Sequence, residues 1–203
     1  MFQIFSIIVL IFSAVIHEYM HGWMAERLGD STAKDMGRLT LNPIPHIDLF
    51  GSILVPFILV FSGAGFVLGW AKPVPYNPYN LRDPKYGGAK VAIAGPLGNL
   101  IVALFFGLIL RFFGPELAAI NPDFNSFLGI IIFINILLMI FNLVPIPPMD
   151  GSKVLMPFLP HDLQEKYARL EQYGMLLVLL FVMFGFALII PIINTLFRII
   201  VGI

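Results

Sequence analysis

The segment His17-Glu18-Tyr19-Met20-His21 concentrates more reactive side chains than any other part of the sequence. On a helix, residues four apart lie on one face, a turn apart. Two imidazoles so placed can hold one metal ion while the carboxylate between them engages a water. The pattern is short, but it falls in the second half of an apolar run that begins at Phe2. An ionisable group at the centre of a membrane span costs at least ~2.5 kcal/mol on insertion scales. Three of them within five residues require a reason stronger than mutual pairing inside a bundle.

A catalytic zinc usually takes three protein ligands and keeps one position open, so two histidines are not enough. His46 and His161 are in loops and suit ordinary surface roles. Asp150 is the better candidate. It follows Asn142-Leu143-Val144-Pro145-Ile146-Pro147-Pro148-Met149, whose prolines end a helix and impose extended chain. Gly151 is expected to permit a sharp turn after it. Taken alone, Asp150 could equally be the N-cap of a segment starting near Ser152. The missing third ligand favours the metal.

These residues need a scaffold, and composition says which kind. Of 203 residues, 59% are hydrophobic and 12% charged, against roughly 25% charged in ordinary soluble domains. The class is therefore an integral membrane protein. The formal net charge is zero, so no nucleic-acid partner is expected. The chain has no cysteine, which excludes a disulfide framework and thiolate chemistry. Five apolar stretches approach the roughly 20 residues a spanning helix needs: about 2–28, 49–69, 91–113, 127–144 and 175–200. The first lacks a basic leader and carries the metal motif, so it reads as a permanent span. The second is interrupted by Pro56 and loosened by Ser62-Gly63-Ala64-Gly65, which suits a re-entrant element. Its flanks, Arg38-Leu39-Thr40-Leu41 and Lys72-Pro73-Val74-Pro75, read as extended chain that could form a small sheet. The expectation is one polytopic domain over 1–203, an all-α membrane bundle of four to five apolar helices. Its core is about 1–155, with a small extended or β re-entrant region near the site and an extra helix at about 175–200.

The motifs HEYMHG and NLVPIPPMDG resemble the site-2 protease family of intramembrane zinc metalloproteases. The likeness extends to Gly37-Arg38-Leu39-Thr40-Leu41-Asn42-Pro43, to Gly69-Trp70-Ala71-Lys72-Pro73-Val74-Pro75 and to Ala94-Gly95-Pro96-Leu97-Gly98-Asn99. It covers roughly residues 10–155 and is similar to the short prokaryotic form without a PDZ domain. The resemblance implies zinc, one per chain, on His17, His21 and Asp150, with Glu18 as catalytic base. It also implies transmembrane protein substrates, cut in or near their spans.

If His17, His21 and Asp150 share a metal, the first and fourth stretches end on the same side of the bilayer. An odd number of crossings must separate them, so the second stretch should not cross. Ten of the twelve Lys and Arg then lie on the site's side, leaving Arg111 and Arg198 opposite. The positive-inside rule makes that side cytoplasmic, with four crossings in the cell membrane. Asn142 and Asn99, amides in apolar helices, are candidates to bind substrate backbone or a developing oxyanion, or else to bond between helices. Gly95, Gly98 and Ala94 suggest close helix packing. The rival reading is a metal transporter or metal-binding scaffold with the same ligands. The apolar outer halves of these helices speak against a conducting path, and Glu18 against a silent scaffold.

Overall fold

A computed structural model describes residues 1–61 and 69–203, with the backbone alone at 53, 56, 59 and 60. In chain order its helices are α1 (Phe2–Arg27), α2 (Thr32–Asp35), α3 (Val55–Phe61), α4 (Gly87–Ile120), α5 (Asp123–Leu143), α6 (Asp150–Leu155), α7 (His161–Arg169), α8 (Gly174–Leu180) and α9 (Phe186–Val201). Among the described residues, four helical stretches are long and apolar enough to cross a membrane: α1, α4, α5 and the run from α7 through α9. Their outer faces carry Ile4, Ile7, Phe105, Phe112, Leu188 and other large apolar side chains in the open. Such a surface suits lipid, where backbone polar groups must be satisfied within the helix. The chain is an all-α membrane bundle.

Ala103, Ile132, Ile136, Met139, Ile189 and Ile193 form the main core between α4, α5 and α9. Small residues bring the helices together. A Cβ on Gly107 would stand 2.1 Å from Ile200, and one on Gly98 would stand 2.6 Å from Met20. Close approach of this kind is how helices pack where lipid removes the hydrophobic drive. Asn125 Nδ2 donates to Gly114 O at 3.0 Å and ties the start of α5 to the end of α4.

The two ends of the second apolar stretch are held together. A wide helical turn at Leu49–Leu54 leads into α3, and Trp70 N–H donates to Gly51 O at 3.1 Å. Farther out, Arg82 N–H donates to Leu28 O at 2.8 Å. The chain therefore leaves α1 and enters α4 at one level. Ser62-Gly63-Ala64-Gly65, expected to loosen the end of this stretch, lies outside the described residues.

The anticipated small sheet is corrected. Among the described residues there is no strand. Instead, Arg38 Nη2 donates to Lys72 O at 2.9 Å and to Pro73 O at 3.3 Å, while Lys72 N–H donates to His46 O at 2.8 Å. Pro73 and Pro75 remove amides that a ladder would need from the second segment, and the Arg38 side chain joins the two segments. The result is a strap, residues 70–82, drawn across the end of α1.

Candidate metal centre

Val9, Ser13 and His17 follow one another at i, i+4 on the buried side of α1, and His21 continues the row. The two rings stand edge to face, centroids 4.6 Å apart. α4 runs antiparallel beside them and fixes each ring from behind. Asn99 Oδ1 lies 2.7 Å from His17 Nδ1, and Val91 O lies 2.8 Å from His21 Nδ1. Both partners are acceptors, so each Nδ1 carries a proton, and in the neutral ring Nε2 presents a lone pair.

Asp150 opens α6, just beyond α5. It does not cap that helix: Met149 stands at the cap and makes no side-chain cap bond. Its Oδ2 faces both rings, 3.0 Å from His17 Nε2 and 3.1 Å from His21 Nε2. Gly151 has a different role from the expected turn, since positive φ occurs only at Gly29, Gly37 and Gly202 among the described glycines. A Cβ on Gly151 would stand 2.2 Å from Leu143 O and 2.6 Å from Val144 O. Its missing side chain lets α6 pack directly on the end of α5, which brings Asp150 to the histidines.

One ligand atom from each of His17, His21 and Asp150 lies within 4.8 Å of the others. With both rings neutral, two imidazole lone pairs and a carboxylate oxygen turned inward repel one another, and a metal ion or a ring proton among them relieves this. Gly95 of α4 leaves the space: a Cβ there would stand 2.5 Å from His21 Nε2 and 2.7 Å from His17 Nε2. Two neutral imidazoles and a carboxylate, each ring anchored at its other nitrogen, fit zinc.

Glu18 lies one residue around the helix from His17, and its Oε2 accepts the Val74 N–H at 2.7 Å. The strap thus holds this carboxylate. The other candidates lie apart. His46 is buried and its Nε2 donates to Thr40 O at 2.9 Å. His161 is exposed, 3.7 Å from Glu165 Oε1. Asn142 Nδ2 donates to Leu138 O of its own helix at 2.9 Å.

For Asn99 the structure shows interhelical bonding, the second of the two roles the sequence left open. The side chain is fully buried. Its Nδ2 donates to Ser13 O at 3.1 Å and to Asn135 Oδ1 at 2.9 Å. Its Oδ1 is given to His17, so no donor is left for substrate. Ser13 and Asn135 were not candidates in the sequence. Their only signal was polarity inside apolar helices, shared with many packing residues.

The profile of peptidase family M50 matches residues 115–185. YwhC of Bacillus subtilis, named as a candidate zinc metalloprotease, is 44% identical over 179 residues, covering 86% of this chain and 78% of its own. MJ0611 of Methanocaldococcus jannaschii, named likewise, is 35% identical, covering 74% of this chain and 72% of its own. Rip2 of Mycolicibacterium smegmatis, also so named, is 33% identical, covering 82% of this chain and 61% of its own. No solved structure matches the chain.

Proposed function

This chain belongs to peptidase family M50, the site-2 proteases, and we propose that it is an intramembrane zinc endopeptidase that hydrolyses peptide bonds in or near the spans of membrane proteins. The observation that carries this reading is the convergence of His17, His21 and Asp150 within 4.8 Å, the histidines on a helix long and apolar enough to lie in a bilayer, with Glu18 beside them.

On this reading His17 Nε2, His21 Nε2 and the Asp150 carboxylate hold the metal. Bound zinc supplies Lewis acidity, which polarises a carbonyl and acidifies water. Glu18 takes a proton from the attacking water as its oxygen bonds to the carbonyl carbon. It returns that proton to the amine nitrogen as the C–N bond breaks. The Val74 amide keeps the Glu18 carboxylate from swinging away. Asn142, at the end of α5, accepts a hydrogen bond from substrate backbone.

The substrate is a transmembrane segment that unwinds locally, because an intact helix has no free amides to offer. The backbone at 38–42 receives it by strand addition; at 72–75 the Lys72 and Val74 amides are already bonded to His46 O and Glu18, and 73 and 75 are prolines. Ten cationic residues on the site's side make that side cytoplasmic in a multi-pass protein of the cell membrane.

The test is Glu18→Gln against wild type, both purified in detergent. Zinc is measured by mass spectrometry, and turnover on a fluorogenic transmembrane peptide with a Gly-Pro weakened helix. The reading expects one zinc per chain in both proteins and a loss of turnover of about 10²–10⁴-fold in the variant. Zinc in both, no cleavage by either, and equal metal flux through proteoliposomes would instead identify a transporter.

A further inference from the structure

Behind His17 a chain of buried polar groups runs through three helices with a fixed direction. Asn135 of α5 is fully buried. Its Nδ2 donates to Ile131 O at 2.9 Å and to Ser13 Oγ at 2.9 Å. A backbone carbonyl can only accept, so Ile131 fixes which end of the Asn135 amide is nitrogen, and its Oδ1 must face α4. There it accepts from Asn99 Nδ2. Asn99 Nδ2 also donates to Ser13 O, the carbonyl that the amide of His17 meets in the helix repeat. Two acceptors, the Ser13 carbonyl and the nearer Asn135 oxygen, thus face the Asn99 nitrogen, and its Oδ1 turns to His17 Nδ1. Were this amide reversed, an N–H would face the ring and the proton would move to Nε2, the nitrogen a metal needs.

We propose that Asn135 is a positioning residue of the metal centre, acting through Asn99 to select the ring nitrogen that His17 offers. The inference rests on His17 being a metal ligand, as the function proposed above requires. Burial makes the relay effective: Ser13, Asn99 and Asn135 are each at least 97% buried, so no water competes for the amide ends. Satisfied buried networks of this kind favour one arrangement. His21 needs no relay, because its Nδ1 meets a backbone carbonyl directly.

The test is a double-mutant cycle read by cobalt(II) affinity, from d–d absorption during titration of metal-stripped protein in detergent. Asn135→Leu should weaken cobalt binding about ten-fold, within the 10–100-fold typical of residues that orient metal ligands. Asn99→Asp supplies a carboxylate, which accepts from His17 Nδ1 whichever way it turns. In that background Asn135→Leu should change affinity by less than about two-fold. Ile132→Ala, a buried apolar truncation on the same helix, should lower the melting temperature and leave cobalt affinity unchanged. An equal loss for Asn135→Leu in both backgrounds, or no loss in the otherwise wild-type protein, overturns the relay. Failure of the wild type to bind cobalt or zinc would overturn the metal centre itself, a different result from a wild type that binds and an Asn135→Leu that binds equally well.

Discussion

A Cβ on Gly95 would stand 2.7 Å from Nε2 of His17. The same atom would come within 2.5 Å of His21 Nε2, so α4 touches both metal-facing nitrogens through the one residue type that can lie so close. Gly95→Ala should therefore push both rings off their anchors. The expected outcome is a loss of zinc affinity of at least about ten-fold, comparable with losing a ligand-orienting group. Far-ultraviolet circular dichroism should stay unchanged, since alanine favours helix. Unchanged zinc affinity would mean that the rings can move aside freely.

The bond from Trp70 N–H to Gly51 O predicts topology. Because the chain contains no cysteine, single cysteines report cleanly. Lys34→Cys and Lys85→Cys, both at exposed positions, should react with an impermeant thiol reagent from the same face of sealed vesicles. Asn121→Cys, between α4 and α5, should react from the other. Labelling of 34 and 85 from opposite faces would show that the second apolar stretch crosses.

The metal motif was legible because its spacing is local. A histidine pair four apart defines a helical face, and a zinc that lacks one ligand directs attention to Asp150. The membrane class was legible because composition reports it directly. What surrounds the ligands was not. Gly95 reads as a packing residue until α4 is seen against α1, and Asn135 reads as one more amide in an apolar helix. Their roles depend on contacts across 36 to 122 residues of sequence, which no local period encodes. The small sheet failed in part for a reason the sequence did contain: Pro73 and Pro75 remove donors from the second segment, and the Arg38 side chain bridges the two instead.

Asp30, just after α1, anchors the strap. It is fully buried and accepts from Thr32 Oγ1 at 2.6 Å, Asn80 Nδ2 at 2.8 Å and Asn77 N–H at 2.8 Å. Burial alone would raise its carboxyl pKa, but the donors from Thr32, Asn80 and Asn77 outweigh it and hold it below the ordinary 3.8. A carboxyl lowered in the folded state stabilises the fold above its unfolded pKa. That contribution is lost as pH falls from there through the folded value. Melting temperature should thus drop below about pH 4 more steeply in wild type than in Asp30→Ala. At neutral pH Asp30→Ala should be less stable by about 2–4 kcal/mol, since it strands three donors. Parallel pH curves for the two proteins would count against Asp30 as the anchor.

Removal of Asp150 gives the most direct trial of the centre. His17 and His21 lie on one helix and would remain a pair without α6, but two imidazoles leave the cation without its only charged ligand. Asp150→Ala should carry no zinc after gel filtration, measured by mass spectrometry, and adding zinc back should restore no turnover. His17→Ala should behave likewise. His46→Ala and His161→Ala should keep one zinc per chain, since His46 is bonded to Thr40 O and His161 is exposed on α7. Zinc retained in Asp150→Ala would mean that a third ligand comes from elsewhere. Among the described residues, no other histidine or acidic group joins the cluster, so that outcome would also require the bundle to open differently around α1.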